Sequence, residues 1–95
     1  MELFLFARFH ARPGCESALR QAIQAVEGPT RLEHGCLSYR AFKSVRVQGE
    51  FYVHSRWQDL AAFELHASLP HTLRFLATVE PLIDHSLSVS LTEPL

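Results

Sequence analysis

The chain has 95 residues, 47% of them hydrophobic and 20% charged, with four glycines and five prolines. That size supports one modest core in a single domain spanning residues 1–95, and the composition excludes disordered, collagen-like and low-complexity classes. Nine basic residues stand against ten acidic ones, a formal charge of −1, so the electrostatic footprint of a nucleic-acid binder is missing.

The first apolar run, Leu3–Ala7, is five residues long, whereas a membrane span needs about 20. Glu2 follows Met1 where a secretory leader would be cationic. A cytoplasmic, non-membrane protein is expected, with Cys15 and Cys36 as reduced, packed thiols.

Leu3 to Ala11 is β-favouring and carries Phe4, Phe6 and Phe9. Arg12-Pro13-Gly14 reads as a turn. Leu19, Ala22, Ile23 and Val26 then recur at helical spacing. Glu16 sits in the first turn of that helix, and Gly28-Pro29 is expected to end it.

Gly35 breaks the chain again before a strand over Cys36–Lys43. Ser44 to Gly49 is a polar connection, and Phe51 to Trp57 is a second alternating strand. Asp59 suits a helix N-cap, followed by a stripe of Leu60, Phe63 and Ala67. Pro70 restarts the helix, with Leu73, Leu76 and Ala77 expected on its inner face as far as Glu80-Pro81. Ser86 to Leu91 alternates strictly and reads as a half-buried strand.

The order β-α-β-β-α-β in a chain this short is the α+β, ferredoxin-like unit with a four-stranded antiparallel sheet. Its helices cover only one sheet face. Yet the first strand is apolar on both, with Leu3, Leu5, Ala7 and Phe9 on one side and Phe4 and Phe6 on the other. A sheet with one wet face should alternate cleanly. A second copy of the chain is the natural cover, giving a homodimer with its sheets face to face. Arg8 and His10 share the parity of Phe4 and Phe6 and fall at that seam.

Gly28-Pro29-Thr30-Arg31-Leu32-Glu33-His34-Gly35-Cys36-Leu37-Ser38-Tyr39 resembles a stretch common in the antibiotic biosynthesis monooxygenase family: a Thr-Arg pair, an acidic residue, a Gly-Cys turn, then a strand carrying Tyr. Phe51 to Asp59 with its Trp57, Ala62 to His66, and Ser68-Leu69-Pro70-His71 resemble the second family pattern, in which a strand ends in Trp and a helix then presents His. Family sequences often carry Glu two residues before that Trp; here the place is taken by Ser55. The resemblance implies a dimeric α+β barrel. In some members it also implies oxygenation of phenols, hydroquinones or anthrone-like aromatics by O2 without flavin, haem or metal.

Cofactor-free oxygenation requires an apolar site for an electron-rich ring, a proton acceptor and exclusion of water. A near-neutral His is suited to move the proton. On this reading His66 is the catalytic residue, and Trp57, Tyr39, Phe63 and His71 are substrate-binding, with the Trp57 indole N–H donating to substrate. The partners are a small aromatic molecule, O2 and a second copy of the chain, with no nucleic acid and no membrane. A non-catalytic binding protein of the same fold is the alternative, and a haem-binding relative with His66 as axial ligand a third. No Asn stands on the first strand, where haem-degrading relatives carry one. The resemblance implies no cofactor, and no metal site is expected, because His66 and His71 lie five apart across Pro70 rather than at i, i+4 on one helix face.

Overall fold

The computed structural model describes residues 1–95. The strands are β1 (Leu3–His10), β2 (Cys36–Lys43), β3 (Glu50–Trp57) and β4 (Ser88–Thr92). The helices are α1 (Glu16–Arg31), α2 (Leu60–Ser68) and α3 (Pro70–Val79), the last followed by a 3-10 turn over Glu80–Leu82. The four strands form one antiparallel sheet in the order β2-β3-β1-β4. This is the expected ferredoxin-like α+β arrangement. No helix is long and apolar enough to cross a membrane.

Period-2 geometry sorts the sheet's side chains. Leu5, Ala7 and Phe9 of β1 lie opposite Ser55, Val53 and Phe51 of β3, and Tyr39 and Ala41 of β2 lie opposite Ser55 and Val53. These residues face the helices, and Leu5, Phe9, Tyr39, Phe51 and Val53 among them belong to the buried core. From α1, Leu19, Ile23 and Val26 are buried against them, each burial worth roughly 1.5–3 kcal/mol. A bulge between Cys36 and Ser38 breaks the expected parity of Leu37 with Tyr39, and Leu37 is exposed. The opposite face carries Phe4, Phe6, Phe42, Tyr52 and His54, with His54 against both Phe6 and Phe42.

Three expectations are corrected. First, α1 does not stop at Gly28-Pro29 but runs to Arg31. Gly28 has no Cβ to meet the proline ring, which removes the usual clash with the residue before proline. Ala25 and Pro29 are both exposed, so the Ala25 carbonyl that Pro29 cannot serve stays open to water. The left-handed glycine that turns the chain is Gly35, at φ +89°.

Second, the inner face of α3 is Thr72, Phe75 and Val79, while Leu73 and Leu76 are 53% and 39% exposed. The two stripes differ by a rotation of one residue, and the contact with α1 selects the one that includes Thr72. Third, β4 is not half-buried. Val89 and Leu91 take the register of Ala7 and Leu5, but β4 is an edge strand, and both remain exposed.

Candidate active site

The segment between α1 and β2 is a rigid joint. Glu33 N donates to the Thr30 carbonyl and Cys36 N to the Glu33 carbonyl, at 3.1 Å each. Arg31 Nε donates to the Tyr39 carbonyl at 2.9 Å, and its other arm pairs with Glu27 at 3.0 Å. Glu27 in turn accepts from Ala41 N. Thr30 is fully buried. A Cβ on Gly35 would stand 2.6 Å from the Ala62 Cβ, so only glycine lets this turn approach α2. The Thr-Arg pair, the glycine and the strand Tyr thus act together to dock α1 on β2 and to hold Glu33 at a fixed place.

Asp59 caps α2, its carboxylate accepting from Ala62 N at 2.9 Å. The side chain that α2 buries most deeply is His66, in its last turn. Leu69 is extended, Pro70 opens α3, and the chain bends there. The bend brings His66 and His71 to one carboxylate oxygen. His66 Nδ1 lies 2.8 Å and His71 Nε2 2.6 Å from Glu33 Oε2. The Glu33 side chain is only 8% exposed, a position a carboxylate occupies when it is paired.

A cavity of about 150 Å³ opens between the sheet and α2–α3, and twelve of its fifteen lining residues are hydrophobic. Its polar members are Ser55, His66 and Thr72, together with the phenol of Tyr39. Thr72 Oγ1 lies 3.3 Å from His66 Nδ1. With Nδ1 engaged by Glu33, the nitrogen left for a molecule in the cavity is His66 Nε2. A neutral imidazole that donates Nδ1–H carries its lone pair on Nε2, so the carboxylate orients His66 as a base. Burial, then the negative charge of Glu27 and Glu33, holds the Tyr39 phenol well above its ordinary range. Tyr39 is therefore a neutral donor. Burial and Glu33 likewise push the Cys36 thiol up, which keeps it a thiol and not a nucleophile.

Tyr39, Phe63 and His66 are brought together on the cavity wall. Trp57 and His71, also expected to bind substrate, are not among the residues lining it. Trp57 is fully buried behind His66, with ring centroids 4.6 Å apart. Its indole N–H is taken by Ser55 Oγ at 3.0 Å. His71 is turned toward Glu33 and opens instead onto a surface groove shared with Pro29 and Arg74. Glu33 is the residue that sequence reasoning passed over. Its only signal was its place as the acidic member of the Thr30–Tyr39 pattern.

A family model described as antibiotic biosynthesis monooxygenase matches residues 3–78. The chain is 36% identical over 91 residues to the Mycobacterium tuberculosis protein named "Putative monooxygenase Rv0793", covering 96% of this chain and 89% of that one. The solved structure of Rv0793 superposes with a TM-score of 0.95 at 35% identity, over 100% of this chain and 96% of the other. That of PA3566 from Pseudomonas aeruginosa gives 0.92 at 33% identity, over 99% and 94%.

Proposed function

This chain belongs to the antibiotic biosynthesis monooxygenase family, and on that premise we propose that it is a cytoplasmic monooxygenase that oxidises a single-ring phenol or hydroquinone with O2, without a bound cofactor. The observation that carries this reading is the seat of His66: its Nδ1 is held by a buried carboxylate at 2.8 Å while its ring lines an apolar cavity. A cavity of 150 Å³ is the size that takes up a benzene-sized guest, which favours one ring over a fused polycyclic substrate or a porphyrin.

The chemistry closes without an external reductant. His66 Nε2 removes the phenolic proton, and the phenolate passes one electron to O2. The phenoxyl radical and superoxide then join at a ring carbon that bears hydrogen. His66 returns its proton to the peroxide, the ring C–H at that carbon breaks as the O–O bond breaks, one oxygen stays as the new carbonyl of a quinone, and the other leaves as water carrying the returned proton and the ring hydrogen. Phenol plus O2 thus gives quinone plus water. Tyr39, as a neutral donor, steadies the phenolate oxygen, and the dry wall keeps superoxide beside the ring.

The working particle is a homodimer. The sheet face away from the helices exposes Phe6 at 45% and Phe42 at 39%, and no element of the chain covers it. A second sheet would cover these rings. Sedimentation of the wild type as a dimer and of Phe6→Asp as a monomer is expected.

The direct test is oxygen uptake with a panel of phenols and hydroquinones, comparing wild type with His66→Ala. General-base loss lowers turnover by about 10²–10⁴-fold. Equal rates would remove His66 from the mechanism. A tightly held but unreacted aromatic would make the protein a binder.

A further inference from the structure

We propose that Glu33, His66 and His71 form a binding site for a divalent transition-metal ion of the zinc class. Their donor atoms all lie within 4.8 Å of one another, and both imidazoles already converge on a single carboxylate oxygen. Two imidazoles with one carboxylate are the donors that zinc, cobalt and nickel prefer. Magnesium and calcium favour oxygen ligands throughout. Three protein ligands also leave a fourth position of a tetrahedral ion for water.

Around an ion with bonds of ~2.05 Å, tetrahedral donors stand ~3.3 Å apart. The two hydrogen-bonded separations of 2.8 and 2.6 Å would therefore open by well under 1 Å, and the two imidazole nitrogens, which lie within 4.8 Å of each other, would adjust to the same distance by rotation of the rings. Each ligand comes from a different element: the joint after α1, the last turn of α2 and the first turn of α3. The Glu33 and His66 side chains are 8% and 11% exposed, while His71 is 22% exposed. An ion and its water would thus enter by the groove that His71 shares with Pro29 and Arg74.

Occupancy would reverse the polarity of His66. Coordination uses the Nδ1 lone pair, so the single proton of the neutral ring moves to Nε2. The nitrogen left free of Glu33 then donates instead of accepting. This second consequence rests on the proton role proposed above: the ion would switch the oxygenase off. The ion site itself does not depend on that role.

The site is tested without turnover. A chelator-treated chain carrying Cys15→Ser and Cys36→Ser, which removes thiol ligands, is titrated with Zn2+ by calorimetry and with Co2+ by visible absorption. One equivalent per chain is expected, with the intense d–d bands of tetrahedral Co2+. His71→Ala should weaken binding at least tenfold, and His10→Ala, in the unrelated His10–Asp84 pair, should not. If His71→Ala fails to fold by circular dichroism, His71→Gln and Glu33→Gln take its place. Absence of Zn2+ binding, or equal binding by the His71 or Glu33 variants, would overturn the proposal. Ion binding in a chain that shows no oxygen uptake would leave the site standing and remove only the switch.

Discussion

The indole of Trp57 lies against the imidazole of His66, centroid to centroid at 4.6 Å, while its N–H is held by Ser55 Oγ. Ser55 stands where the resemblance leads one to expect Glu, and here that position fixes the ring behind His66. Trp57→Phe should therefore cost about 1–3 kcal/mol in urea unfolding, from the lost bond and the lost ring volume. In oxygen uptake kcat should fall with KM little changed. A rise in KM exceeding the fall in kcat would return Trp57 to the substrate.

Glu33 is not among the residues lining the cavity, so on the proposed reading it is a positioning residue that fixes which nitrogen of His66 bears the proton. Glu33→Gln offers an amide in place of the carboxylate and should lower kcat roughly 10–100-fold with KM almost unaltered. Glu33→Asp, which keeps the charge on a shorter stem, should recover part of the loss. A purely structural role predicts instead that rate and unfolding midpoint fall together in both variants.

Gly35 combines a φ of +89° with a Cβ approach of 2.6 Å to Ala62. Gly35→Ala should destabilise by about 2–4 kcal/mol, from backbone strain plus overpacking. Adding Ala62→Gly should relieve the overpacking but not the strain, so a double-mutant cycle in urea will show a favourable coupling. No coupling would mean that the turn and α2 move apart freely.

The Tyr39 phenol titrates above its ordinary 10 in the folded chain, chiefly through burial. Below pH 10 it is protonated whether the chain is folded or not. Above that, the unfolded chain gives up a proton that the folded chain keeps. Its stabilising contribution is therefore complete below pH 10 and is lost progressively as the pH climbs toward the folded value. Unfolding free energy should fall over this alkaline range, and less steeply in Tyr39→Phe. Equal slopes would place the phenol in water.

Much of the architecture was legible in alternation and spacing. Leu19, Ile23 and Val26 announced α1, Asp59 the start of α2, and the two-sided aromatics of β1 a sheet with both faces apolar. The misreadings share a cause: local pattern does not report what stands opposite. Gly28-Pro29 looks like a stop because punctuation is read without knowing that Thr30 will be buried and Arg31 tied to the Tyr39 carbonyl. β4 alternates as a half-buried strand would, but its place at the sheet edge is a property of the topology. Of the residues singled out for the site, Tyr39, Phe63 and His66 line one cavity. The partner of His66 was not, because Glu33 lies 33 residues away along the chain and carries no periodicity.

The bend at Leu69-Pro70 has a consequence for chain length. On one uninterrupted helix, residues five apart point about 140° away from each other; here the break turns both imidazoles inward. Inserting a single residue into this elbow would rotate α3 about its axis and swing His71 off its carboxylate. The spacing between the two rings is thus a dimension of the fold in its own right, one that tolerates substitution at the joint far better than insertion or deletion.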